Sequence, residues 1–345
     1  MYLWIVIVGG AFAFFASAGI GANDAANAFA TSVGSKALTL KQAVVLAAIF
    51  ETSGAVLMGS HVTNTIRKGI ADYKCFEDDA YLLMYGCMWV ILAVGLWLFL
   101  ASYLEMPVST THSCVGGMIG MAMVLKGADC VIWYKPVDTF PYVGGVGGIV
   151  MSWFLSPLFS AIIAMVVFAI TRTSVLRKGF ESYRINWAYP VLIGSTMTIN
   201  TFFIIYKGAK GLGLDKTPLD VAFGYAFGIG GLSALITLPL VPKLKNYVQK
   251  RLGDTNTDIE LPSVGEEIKT NQVELNIADQ KELERVMSLH NDAEKFDKKT
   301  EEVFKYLQIF TAICDSFSHG ANDVANAIGP FAAIWVIYQS GGELD

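Results

Sequence analysis

Seven stretches of this chain run for about 18 residues or more with few or no charges, near residues 3–20, 41–66, 82–104, 145–170, 187–206, 217–241 and 305–338. That length suits an α-helix crossing a bilayer core about 30 Å thick. In hydrocarbon every backbone N–H and C=O must be paired within the protein. Strands of a closed barrel would appear as short alternating segments, not as long continuous runs. The runs therefore predict an all-α integral membrane protein. Composition agrees, since 54% of the 345 residues are hydrophobic and only 16% are charged, too apolar for a soluble domain to cover itself. The first run has neither a basic leader nor a convincing cleavage site, so it reads as a transmembrane helix and not as a secretory signal.

Charge divides the chain. Residues 254–302 hold 14 acidic and 6 basic side chains, so this segment is −8 while the remainder of the chain, whose total is −5, is +3. Basic residues cluster at Arg172, Arg177, Lys178 and Arg184, and again at Lys243, Lys245, Lys250 and Arg251, on either side of a hairpin whose turn is KGAKGLGLDKTP. Both clusters fall on one side of the membrane, which the positive-inside rule makes cytoplasmic, although Lys207, Lys210 and Lys216 in the turn weaken the asymmetry. The expected organisation is a first membrane part over 1–242, an acidic cytoplasmic loop over 243–304 and the start of a second membrane part over 305–345. The loop reads as a solvated connector; Leu283, Met287, His290, Phe296, Val303 and Phe304 leave room for short amphipathic helices. Cys75, Cys87, Cys114, Cys130 and Cys314 show no CxxC spacing, so neither a disulfide framework nor a metal knuckle is expected and most read as small apolar fillers.

The polar residues inside the apolar runs carry the functional information. GANDAANA at 21–28 returns as GANDVANA at 320–327, identical at seven of eight positions, with residue n aligned on n+299. Such identity between two apolar segments indicates an internal repeat, a hallmark of secondary transporters. A carboxylate at mid-membrane costs at least about 2.5–3.5 kcal/mol on insertion scales, so Asp24 and Asp323 are expected to face an ion, a partner or a cavity. Gly21, Asn23 and Asp24 are expected to break the helix, freeing carbonyls for a hard cation and a half-helix N-terminus for an anion. The plainer reading makes Asp24 a helix cap, but its recurrence as Asp323 weighs against that.

A second polar cluster is MPVSTTHSCVGGMIGMAMV, residues 106–124. Ser109, Thr110, Thr111 and Ser113 supply hydroxyls that donate to phosphate-type oxygens without burying a charge, ahead of a stretch too short to span comfortably. A re-entrant helix fits, with an ordinary serine or threonine cap as the alternative. Glu51 is a further intramembrane acid, read as a cation ligand, a proton carrier or a partner of Arg67. Asn64, Thr65, Arg67 and Lys68 read as an interfacial anchor or as part of an anion entry path. No HExxH or GxGxxG motif and no nucleophile–base pair stands out, which argues against an enzyme.

GANDAANAFATSVGSKALTLKQA, FETSGAVLMGSHVTNTIRKGI, PVSTTHSCVGGMIG and HGANDVANAIGP, in that order, resemble the inorganic phosphate transporter family. That family comprises sodium- or proton-coupled phosphate permeases and includes the type III sodium–phosphate cotransporters. The resemblance implies two inverted repeats with broken and re-entrant helices around a phosphate near the membrane midplane. It assigns Asn23, Asp24, Asn322, Asp323 and Glu51 to the cation, with Asp24 and Asp323 as Na+ ligands. It assigns Asp24, Asn27, Ser109, Thr110, Thr111, Asp323 and Asn326 to phosphate. PVSTTH starts 86 residues after the first GAND, so its second copy would fall near residue 406 and the second repeat is expected to be incomplete. No cofactor is implied beyond co-transported Na+ or H+. The partners implied are inorganic phosphate, the cation and the lipid bilayer, with a homodimer left open and no nucleic acid; the plasma membrane is the expected location. A non-transporting phosphate receptor or sensor and an anion channel are the alternative functions.

Overall fold

The computed structural model describes residues 2–138, 142–206, 214, 217–253, 285, 288 and 292–344, the side chains of residues 61, 64 and 65 excepted. The elements are helices α1 (Leu3–Gly34), α2 (Leu40–Gly69), α3 (Ala80–Tyr103), α4 (Thr110–Lys126), α5 (Gly145–Ser174), α6 (Arg184–Tyr206), α7 (Leu219–Thr237), α8 (Leu240–Leu252) and α9 (Lys298–Gln339). A two-residue antiparallel pair, β1 (Lys135–Pro136) and β2 (Val143–Gly144), precedes α5. The chain is an all-α, multi-pass integral membrane protein. Among the described residues six helices are long and apolar enough to cross a bilayer: α1, the first part of α2, α3, α5, α6 and α7. The apolar surface of α5 points outward all along the helix, with Phe154, Ile163 and Phe168 exposed, as a lipid-facing helix requires.

Local chemistry sets the helix ends. α1 closes where Ala37 and Leu38 N–H both return to the Ser32 carbonyl, and Lys36 takes the left-handed conformation usually given to glycine (φ 58°). Thr39 then caps α2 in a capping box with Gln42. Asp79 caps α3, Ser109 caps α4 and Asp297 caps α9, each through its side-chain oxygen.

The main core gathers residues of α1, α2, α3, α4 and α9, including Ile5, Leu83, Ile91, Leu98, Met118 and Ile334. α1 and α9 run antiparallel, since Gly9 faces Phe331 and Ile334 at one end while Asp24 meets Asp323 further along. α2 runs parallel to α9 in close backbone contact: Gly54 faces the Phe317 carbonyl, Gly59 faces Val324, and Gly320 faces the backbone of Glu51. No side chain larger than hydrogen fits at these crossings, the small-residue packing typical of membrane helices.

The molecule has two unlike ends. At one, Tyr2 stacks on Tyr81, the Tyr81 hydroxyl donates to Gly341 O, and Cys75 is bonded to Cys130. At the other, Arg172 and Arg177 meet Glu294, and Arg251 meets Glu302.

Two expectations are revised. Both GAND segments remain helical within α1 and α9, so the helices are not broken there. The polar side chains find partners on neighbouring segments, which removes the need to free the backbone. Next, Cys75 and Cys130 form a disulfide across 55 residues, because the ends of α2 and α4 are pinned together through an Ala71–Val131 bridge. Cys87 and Cys114 are buried fillers, as expected. Within the span expected as the acidic loop, residues 243–252 belong to α8, and Val303 and Phe304, where room for a helix was expected, lie in α9, Val303 being fully buried. The core of that loop, residues 254–284, and with it Leu283, lies outside the described residues, as do Met287, His290 and turn residues Lys207, Lys210 and Lys216.

Candidate functional site

Asp24 and Asp323 meet where the antiparallel α1 and α9 cross. One ligand atom from each of Asp24, Asp323 and His319 lies within 4.8 Å of the others. Both carboxylates are buried, at 3% and 8% exposure, so neither relies on bulk water. Asp24 accepts hydrogen bonds from Thr110 Oγ1, at the N-terminus of α4, and from Asn27 Nδ2 at 3.3 Å. Asp323 accepts from Asn322 Nδ2 at 3.3 Å, and His319 Nε2 lies 3.3 Å from its other oxygen. The other ring nitrogen of His319, Nδ1, lies 3.4 Å from Glu51 Oε1. Close packing of Gly320 on the Glu51 backbone enforces that approach. Among the described residues, neither Glu51 Oε1 nor His319 Nδ1 makes a hydrogen bond, although both are buried.

The hydroxyl cluster divides. Thr110 is buried on Asp24, and Thr111 Oγ1 accepts from Asn326 Nδ2 at 3.1 Å. Ser109 is exposed and caps α4, accepting from His112 N at 3.3 Å; Ser113 donates to the Ser109 carbonyl. His112 stacks on Trp153 of α5 with ring centroids 3.7 Å apart. α4 has 17 residues, about 25 Å, and starts beside Asp24, so its N-terminal amide groups and positive dipole end point into the site. This helix end takes the place of the half-helix ends expected from a break at GAND.

Asn23 does something different. Its Nδ2 donates to Ser102 Oγ (3.3 Å) and Met106 O (3.1 Å), and its Oδ1 accepts from Val108 N (3.2 Å). It clamps the α3–α4 connection and thereby positions Thr110 and Thr111. Glu51 is far from Arg67: sixteen residues along one helix separate them by about 24 Å. Arg67 lies in the last turn of α2 with its Nε buried and, among the described residues, without a hydrogen bond.

The structure thus brings together Asp24, Asn27, Glu51, Thr110, Thr111, Asn322, Asp323 and Asn326, and places Asn23 and Ser109 in supporting positions. Sequence reasoning missed His319. It stands immediately before the second GAND, but the aligned position in the first copy is Ile20, so no repetition flagged it.

Acids, amides and hydroxyls thus lie buried together between crossing helices of a multi-pass membrane protein. Comparison with known proteins narrows the class. The family model described as "Phosphate transporter family" matches residues 20–345, and the chain belongs to that family. It is 36% identical over 277 residues to mouse sodium-dependent phosphate transporter 1, covering 80% of this chain and 39% of the mouse protein. It is 34% identical over 337 residues to the chloroplastic inorganic phosphate transporter 2-1 of Arabidopsis thaliana, covering 96% of this chain and 50% of the plant protein. A solved structure titled "The sodium-dependent phosphate transporter" superposes with a TM-score of 0.74 at 31% identity, over 99% of this chain and 70% of that one. The chain therefore spans about two fifths of the mouse relative's length and half of the plant relative's.

Proposed function

We propose that this chain carries inorganic phosphate across a membrane, coupled to Na+ or H+, by alternating access between two inverted repeats. The observation that carries this reading is the antiparallel meeting of the two GAND copies, which sets Asp24 beside Asp323 and both near the N-terminus of α4. Two buried carboxylates repel a phosphate anion. A cation bound between them removes that repulsion, so the cation binds first and the anion second. Asp24 and Asp323 supply hard oxygen ligands suited to Na+. Thr111, Asn326 and the first amides of α4 supply donors for phosphate oxygens, with Asn27 and Thr110 holding Asp24 in place. Glu51 and His319 form a chain leading to Asp323 that offers an alternative place for a coupling proton.

Coupling has an energetic reason. Moving an anion into a negative interior costs about 2.3 kcal/mol per charge per 100 mV, and co-transported cations offset that cost. A role in transport rather than catalysis follows. The plasma membrane fits best, since a sodium gradient is maintained there.

Binding of labelled phosphate to the purified chain in NaCl or choline chloride tests this. Saturable binding that requires Na+ or an acidic medium, weakened at least about tenfold by Asp24→Asn, is expected. Binding of equal strength in every medium and in the variant would contradict it.

A further inference from the structure

At the end of the molecule that carries the disulfide, the last turn of α2 and the short turn Tyr73–Phe76 after it hold two donors that no described residue satisfies. Arg67 is half-buried, and its Nε is closed off from water without a hydrogen bond among the described residues. The Tyr73 hydroxyl is in the same condition. An arginine serving only as an interfacial anchor would extend its guanidinium into water instead. The two side chains are close enough to act on one another. Burial and the neighbouring Cys87 thiol push the Tyr73 phenol well above its usual pKa, while the Arg67 guanidinium pulls it down. The phenol therefore keeps its proton and remains a donor.

The surroundings hold both groups in place and offer them no acceptor. Ile66, next to Arg67, packs on Gly329 of α9, and Tyr73 packs on the main core. The chain between them is tied to the segment after α4: Ile132 N–H donates to the Ile70 carbonyl (2.8 Å), and Asp72 N–H donates to Cys130 O (2.8 Å). The local carboxylates are engaged or exposed. Asp72 accepts from Lys74 N and Asp79 from Leu82 N, while Glu77, Asp78 and Asp129 are exposed. A buried charge without a counter-ion is costlier than a missing hydrogen bond, so a water molecule alone does not meet the need. A guanidinium presents a planar pair of N–H donors that matches two oxygens of a phosphate group. We propose that Arg67 and Tyr73 bind a phosphate-type oxyanion at this end, with two oxygens on the guanidinium and one on the phenol. Arg67 lies about 24 Å along α2 from Glu51, so this site is separate from the carboxylate pair. The inference rests on inorganic phosphate being the cargo, for which this is a holding site. Its positive charge is built in, so it needs no Na+.

The test is thermal melting of the purified full chain carrying Asp24→Asn, which disables the central site, in choline phosphate or choline chloride of equal ionic strength. Phosphate is expected to raise the melting temperature by at least about 2 °C over chloride, with no Na+ present. Adding Arg67→Gln or, separately, Tyr73→Phe is expected to reduce that rise at least about twofold. Tyr73→Phe keeps the ring in its packing and is expected to melt no lower than its parent in chloride, because it removes a buried donor that has no acceptor. Equal melting in the two salts, or a rise that survives both substitutions, would overturn the proposal. So would a clear loss of stability on Tyr73→Phe in chloride, which would give the hydroxyl a structural bond. Na+-dependent binding to the unsubstituted chain tests the coupled site separately. Its absence alongside an intact phosphate rise in Asp24→Asn contradicts coupling and supports the site at Arg67 and Tyr73.

Discussion

Thr110 shows how much a single hydroxyl is asked to do. Its donation to Asp24 is the direct link between the α4 hydroxyl cluster and the carboxylate pair. Thr110→Val keeps the shape and removes the donor, and a buried acceptor that loses its partner costs about 1–3 kcal/mol. The expected outcome is a lower melting temperature in detergent and weaker Na+-dependent phosphate binding, with Thr110→Ser restoring most of both. Asp24 and Asp323 were legible in the sequence because the motif is repeated. The clamp made by Asn23 was not, because its partners Ser102, Met106 and Val108 lie 79 to 85 residues away and only the folded α3–α4 turn brings them close. His319 was illegible for a related reason: its role depends on Glu51, which arrives through the packing of α2 on α9.

Glycines distinguish helix crossings from open positions at the scale of elements. A Cβ at Gly320 would run into the backbone of Glu51, whereas one at Gly21 would meet nothing within 4 Å. Gly320→Ala is expected to push α2 from α9 and lower stability by about 1–3 kcal/mol, and by separating Glu51 from His319 to impair ion binding too. Gly21→Ala, in the middle of the unbroken α1, is expected to be neutral or to stabilise by up to about 1 kcal/mol through helix propensity. Thermal melts of the two purified variants separate these outcomes. The expectation of a broken helix assumed that polar residues must disrupt the backbone; here they are satisfied by side chains of other elements. A surface link at the basic end behaves differently. Hydrogen bonding from Arg177, with help from Arg172, holds the Glu294 carboxyl below its usual range. Its contribution is fully present above the unfolded value near 4.5 and fades as pH falls through the depressed folded value. Because the pair is exposed, Glu294→Gln is expected to change the melting temperature only slightly at neutral pH and not at all in high salt.

The two ends of the whole molecule differ in chemistry, and we propose its orientation from that difference. On that proposal the basic clusters at one end face the cytoplasm and the Cys75–Cys130 disulfide at the other faces an oxidising exterior. After mild reduction of intact cells, a membrane-impermeant maleimide is expected to label Cys75 and Cys130 from outside; labelling only after permeabilisation would reverse the topology. Fold class was readable from hydrophobic run length alone, but the pairing of cysteines 55 residues apart required the loops to be brought together first. The central claim is that two copies of one motif form a single coupled site for cation and phosphate. Uptake of labelled phosphate by cells expressing this chain, in external Na+ or choline at two fixed pH values and alongside Asp24→Asn, tests it most directly. Uptake that depends on Na+ or on an acidic exterior and disappears in the variant is the predicted result. Uptake indifferent to both cations and to Asp24 would contradict the account.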